Sequence, residues 1–149
     1  MNKTLILFAS VMVGFLVNAG AQSGTASRAY RARLSPVPMD LAMAVNISGL
    51  GTATATLNGS KLTITGTFDG LKSPATTVNL HRGIRGVRGP VVLALETTKG
   101  TSGTISGTVD LTPMLAQDLQ NSRLYIQLQS EKAPDGNLWG WLMPQETKK

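Results

Sequence analysis

The residues of this chain best equipped for chemistry lie between Val78 and Leu95. The only histidine, His81, is followed by Arg82, Arg85 and Arg88, and each arginine is followed directly by a glycine, Gly83, Gly86 and Gly89. Arginine suits carboxylate, sulfate and phosphate groups because its planar guanidinium can donate two parallel hydrogen bonds. A glycine-rich backbone adds exposed amides that also favour anions. The pattern is not a phosphate-binding P-loop, since the lysine and the Ser/Thr of that motif are missing and no helix follows. Arg82, Arg85 and Arg88 are therefore candidate anion-binding residues on a loop; the plainer reading is a polar surface loop.

His81 ends an alternating strand in which Val78 and Leu80 point one way and Asn79 and His81 the other, because alternate residues share a face. A second strand, Leu124 to Gln129, places Tyr125, Gln127 and Gln129 together in the same manner. Asn79, His81, Tyr125, Gln127 and Gln129 form the candidate ligand face, a set of amides, an imidazole and a phenol suited to hydrogen bonding. The alternative is that these groups only satisfy one another between strands. With no cysteine and one histidine, the chain lacks the several ligands that a copper or zinc site takes from soft side chains. His81 alone would be a weak metal ligand, and no cofactor is expected. Catalysis is not expected either: paired carboxylates are absent, and no Gly-x-Ser-x-Gly turn offers a serine nucleophile. Trp139 and Trp141, two apart near the end of the chain, can cover a core or stack on a sugar or an interface.

The elements that position these residues are short strands. Thr52 to Leu57 alternates threonine with small apolar residues, and Asn58-Gly59 signals a hairpin into Lys61 to Phe68, where Leu62, Ile64 and Phe68 share a face. Ser73-Pro74 marks a turn before the His81 strand, and Val91 to Leu95 reads as a mostly buried strand. Thr104 to Leu111 alternates again. One helix is expected near 112–121, with Thr112 as N-cap and Pro113 at its first position. Pro134 to Asn137 is a turn before a last strand, Leu138 to Leu142. Such a succession of turn-punctuated strands predicts an all-β, antiparallel Greek-key-like β-sandwich.

Lys3, the apolar run Leu5 to Val17 and Ala19-Gly20-Ala21 make the three regions of a signal peptide over residues 1–21, an apolar run too short to span a bilayer. The protein is therefore expected to be exported, periplasmic or secreted, and not membrane-spanning after cleavage. What remains of the 149 residues is one domain's worth. Removing Lys3 lowers the formal charge from +6 to +5. Residues 22–40, poor in apolar side chains and holding Arg28, Arg31 and Arg33, are expected as a flexible basic segment, either a solvated linker or a basic contact. The domain proper is expected over 41–144, and residues 145–149 as a charged tail. The partner is not named by these features; a protein or polyanion of the cell envelope suits them, and nucleic acid is not expected.

Several of these motifs occur in a familiar order: Gly51 to Leu57, Leu71 before the His81 strand, Gly86-Val87-Arg88-Gly89-Pro90-Val91-Val92, Leu124-Tyr125-Ile126, and Pro134 to Gly140. Together they resemble the CHRD domain, named from chordin, over about residues 42–143. The resemblance implies an exported immunoglobulin-like or superoxide-dismutase-like β-sandwich with no generally established catalytic activity. It also implies histidines at positions held here by Asn79, His81 and Gln129, of which only His81 is present. Trp139 and Trp141 stand where an arginine and a polar residue are usual.

Overall fold

The computed structural model describes residues 26–38 and 40–146. The expected signal peptide, residues 1–21, lies outside them, as does the end of the expected tail. Among the described residues nine strands and two helices follow in order: β1 (Arg28–Pro36), α1 (Leu41–Ala44), β2 (Leu50–Asn58), β3 (Lys61–Asp69), β4 (Ala75–Arg82), β5 (Val91–Thr97), β6 (Gly103–Asp110), α2 (Pro113–Gln120), β7 (Leu124–Ser130), β8 (Ala133–Trp141) and β9 (Met143–Pro144).

The fold is all-β and antiparallel, as expected, but it is a closed barrel and not an open two-sheet sandwich. Around the ring the order is β1-β2-β3-β6-β5-β4-β7-β8, and β8 returns to β1. Closure comes from two strands that divide their partners. β1 pairs with β2 from Arg28 to Leu34 and with β8 at Ser35 and Pro36. β5 pairs with β4 from Val91 to Leu95 and with β6 at Glu96 and Thr97. β9 resumes the line of β8 after Leu142 and pairs with β1 at Tyr30 and Arg31. The order keeps a Greek-key character: β4, β5 and β6 are successive neighbours, with β3 beside β6 and β7 beside β4.

The expected flexible segment is corrected by β1. Tyr30, Ala32 and Leu34 point into the core while Arg31 and Arg33 point out, a period of two that is masked in the sequence by small and charged residues. Inward positions of the other strands supply the rest of the interior, chiefly Leu62, Ile64, Leu80, Ile105, Leu124, Ile126, Leu128, Leu138 and Leu142. On the outside of β2, β3 and β6 the register lines up threonines, Thr54 opposite Thr65 and Thr63 opposite Thr108. Threonine is the polar residue that best fits such exposed pleats, and the Thr54 and Thr65 hydroxyls bond to each other at 3.2 Å.

Local chemistry sets the joints. Asn58 pairs with Lys61, so the β2–β3 turn is centred on Gly59-Ser60 and not on Asn58-Gly59, with Gly59 at φ +60° in the first central position. Asp40 caps the unforeseen helix α1 by accepting from the Met43 amide at 2.8 Å. Thr112 caps α2 as expected, accepting from the Leu115 amide at 3.3 Å, and Leu119 seals the core beneath it. β5 is less buried than its composition suggests: Val91 is exposed and only Leu95 is fully covered. At the β1–β8 seam the backbones approach so closely that a Cβ on Gly140 would lie 2.6 Å from the Arg33 carbonyl oxygen.

A chain beginning at Val37 loses β1 and with it one of the two seams that close the barrel, leaving β2 and β8 with unpaired edges. It is expected to show no cooperative urea transition, whereas a chain beginning at Ala26 unfolds in one step; equal transitions for the two would mean that β1 is not part of the closed ladder.

Candidate functional site

The candidate ligand face lies on the outside of β4, β7 and β8, where register fixes which side chains meet. His81 is opposite Tyr125, and Tyr125 is opposite Trp141; Asn79 is opposite Gln127, and Gln127 is opposite Trp139. A bulge at Leu80/His81, where β5 carries an extra residue against β4, falls at the histidine itself. The imidazole stacks on the Tyr125 ring at 4.9 Å between centroids and 11° between planes. Tyr125 in turn stacks on Trp139 at 5.5 Å and meets Trp141 at 4.8 Å. These rings form one aromatic floor, each contact adding about 0.5–1.5 kcal/mol beyond simple burial.

This floor is covered by the arginine-glycine loop. The Gly89 amide donates to the Tyr125 hydroxyl at 2.9 Å, the His81 Nδ1 lies 2.9 Å from the Gly89 carbonyl oxygen, and the Trp141 indole N–H donates to the Gly83 carbonyl at 3.1 Å. Main-chain bonds from Arg82 to Pro90 and from Gly83 to Arg123 close the base of the loop. A Cβ at Gly89 would run into the Arg82 backbone, so the loop can sit this low only with glycine there. At its apex the Val87 amide donates to the Ile84 carbonyl at 3.1 Å, a β-turn in which Gly86 takes φ +80°.

From the other side the first part of β8 adds a cover: the turn expected over Pro134–Asn137 is strand, because the chain already reverses at Glu131–Lys132 and β8 begins at Ala133. Gln127 donates to the Asp135 carbonyl at 2.7 Å and is buried, as are Tyr125, Trp139 and His81. Asn79 and Gln129 are half-buried, and Gln129 accepts from the Thr77 hydroxyl. The structure thus brings His81, Tyr125 and Gln127 together and adds Trp139 and Trp141, but it closes them under the chain's own loop. A carbonyl only accepts, so the His81 Nδ1 carries a proton and donates it there, leaving Nε2 as the ring's other nitrogen. That atom and the Trp139 indole N–H are buried without a hydrogen-bond partner among the described residues. The positions held by Asn79 and Gln129 do not fit a metal: Gln129 is engaged with Thr77, and the described residues contain no group of three or more His, Cys, Asp or Glu side chains placed to hold one.

The three loop arginines do not converge. Arg82 pairs through Nε with Asp118 of α2, a carboxylate 5% exposed that sequence spacing gave no reason to join to the loop. Arg85 reaches the Met143 sulfur at 2.7 Å on β9. Arg88 lies over the Trp139 ring at 5.4 Å and donates to the Asp135 carbonyl at 3.1 Å. Arg31 is the cross-strand partner of Met143, so β1 brings part of the N-terminal arginine cluster beside the loop. The three loop arginines together make no single anion pocket. The loop instead spreads cations across one face.

The model of the CHRD domain family matches residues 31–142. The chain belongs to the CHRD domain family. The match begins inside β1 and ends at Leu142, so the CHRD domain covers nearly all of the closed ring and takes in residues 31–40 of the segment expected to precede it. No curated protein and no solved structure matches this CHRD domain.

Tyr125→Phe keeps the ring of this CHRD domain but removes the acceptor of the half-buried Gly89 amide. A loss of about 1 kcal/mol in urea-unfolding free energy is expected, the net worth of one half-buried hydrogen bond. An unchanged midpoint would show that the loop does not depend on that bond.

Proposed function

We propose that this protein is an exported, non-catalytic binding module whose contact surface is the Arg82–Gly89 loop together with the neighbouring outward arginines, and whose partner is an extended anionic surface of the cell envelope or its surroundings. The observation that carries this reading is the combination of a fixed loop backbone with separated guanidinium groups. A loop held by Tyr125, His81 and Trp141 keeps its shape on binding, so little conformational entropy is lost. Arginines leaning toward α2, β9 and β8 suit many charges spread over an area and not one phosphate or carboxylate.

Family membership supports an extracellular type of domain. The apolar leader over residues 1–21 supports export, and no helix among the described residues is long and apolar enough to cross a membrane. The closed aromatic floor works as the loop's foundation in this reading, which makes His81 a positioning residue for Gly89. The non-catalytic reading is supported by the chemistry of this face, where among the described residues one imidazole stands and the nearby buried carboxylate, Asp118, is paired to Arg82.

The test is retention of the exported protein on a sulfated-polysaccharide matrix against salt. Binding that falls steeply between low and physiological salt is expected, since exposed charges farther apart than about 8 Å are screened there. Arg85→Ala with Arg88→Ala should move elution to clearly lower salt. Unchanged elution would remove the loop from the contact surface.

A further inference from the structure

The apex of the arginine loop is apolar. Ile84 and Val87 are 55% and 50% exposed, and they occupy the first and last positions of the Gly86 turn, which brings the two residues close together. A single exposed aliphatic residue on a surface is ordinary. Here two sit side by side on a loop whose base is fixed by hydrogen bonds to the barrel, with Arg85 between them in sequence and Arg82 and Arg88 on either side.

Beside the apex lies a hollow of about 250 Å³ lined by Arg82, Gly83, Ile84, Pro90, Asp118 and Arg123. Asp118 takes Arg82 through its Nε and stands 3.9 Å from Arg123. Two guanidinium groups against one buried carboxylate leave the hollow with a net positive charge. An aliphatic side chain and a cation thus share one small cavity at the foot of the apolar tip.

We propose that this tip docks the protein on an anionic phospholipid surface, with Ile84 and Val87 entering the boundary of the acyl chains and the surrounding arginines meeting the headgroups, a phosphate falling in the Arg82–Arg123 hollow. The assignment rests on the reading of the loop as the contact surface and names the partner. A soluble polyanion would use the arginines and leave Ile84 and Val87 in water. A lipid interface uses both, because apolar insertion and attraction to anionic lipid add together. The tip carries no acidic residue to oppose the approach, and the carboxylate in the hollow, Asp118, is buried and paired.

The experiment is co-sedimentation of the exported protein with vesicles of phosphatidylglycerol and phosphatidylcholine, and with phosphatidylcholine alone, beside elution from the sulfated-polysaccharide matrix. Binding to the mixed vesicles and not to phosphatidylcholine is expected. The double substitution Ile84→Ser and Val87→Ser should weaken it roughly ten- to a hundredfold, the scale of withdrawing from water the exposed half of each of these two aliphatic side chains, while elution from the polysaccharide stays the same. Val87→Trp should strengthen vesicle binding, with a blue shift of the added fluorescence, and both variants should melt with the parent because the positions are exposed. Polysaccharide retention without vesicle binding, or vesicle binding indifferent to the double substitution, overturns the lipid assignment alone. Binding to neither surface overturns it together with the broader reading of the loop.

Discussion

Everything in this molecule depends on the need of strand backbones to find hydrogen-bond partners. An edge strand exposes a row of unpaired amides and carbonyls, and closing the sheet is the one arrangement that removes edges altogether. Here closure is achieved by β1 and β5, each of which gives one part of its length to one neighbour and the remainder to another. The seams are short, two residue pairs each. Where β1 meets β8, a glycine, Gly140, allows the backbones to approach. With no cysteine in the chain, no disulfide supplements this ladder. Burial of Leu34 and Tyr30 from β1 therefore does two tasks, filling the core and holding the ring shut.

The same closure fixes the outside. Once β4, β7 and β8 are in register, His81, Tyr125, Trp139 and Trp141 must project together on the outer face, and exposed rings of that size would leave a large apolar patch in water. The chain covers most of it with its own Arg82–Gly89 loop. Tyr125 is fully buried and still satisfied, since its hydroxyl accepts from Gly89. The floor consequently fixes the loop, and the loop in turn keeps water from the floor.

Much of this is legible in the sequence wherever alternation is strong. The strands of Thr52–Leu57, Lys61–Phe68, Val78–His81 and Leu124–Gln129, their inward and outward faces, and the capped helix after Thr112 all follow from period, propensity and capping. Other features are not legible, each for a physical reason. β1 alternates arginine with tyrosine, alanine and leucine, a pattern whose apolar half is too small to stand out from a polar terminus. Sandwich and closed barrel differ only in whether Ser35–Pro36 and Glu96–Thr97 find a second partner, which is decided by tertiary pairing and leaves no local mark. Alternation puts Asn79, His81, Tyr125, Gln127 and Gln129 on one side, but it cannot say that a loop folds over them. Asp118 escapes a reading of the sequence because its partner Arg82 lies 36 positions away, beyond the reach of any spacing argument.

The three-residue spacing of Arg82, Arg85 and Arg88 decides what kind of partner the loop can take. On a strand, an interval of three would send successive arginines to alternate faces; on a helix it would stack them along one side. The loop is neither, and each intervening glycine lets the backbone turn afresh, so the guanidinium groups diverge toward Asp118, Met143 and Trp139. Divergence works against a small ligand, which gains most from donors converging on a single point. It suits an area of repeated negative charge, against which each cation acts separately and the fixed backbone keeps them apart. Ile84 and Val87, exposed at the apex between these cations, add an apolar component that such an area must also accommodate. The chemistry of the loop is therefore set less by its count of arginines than by the glycines that point them in different directions.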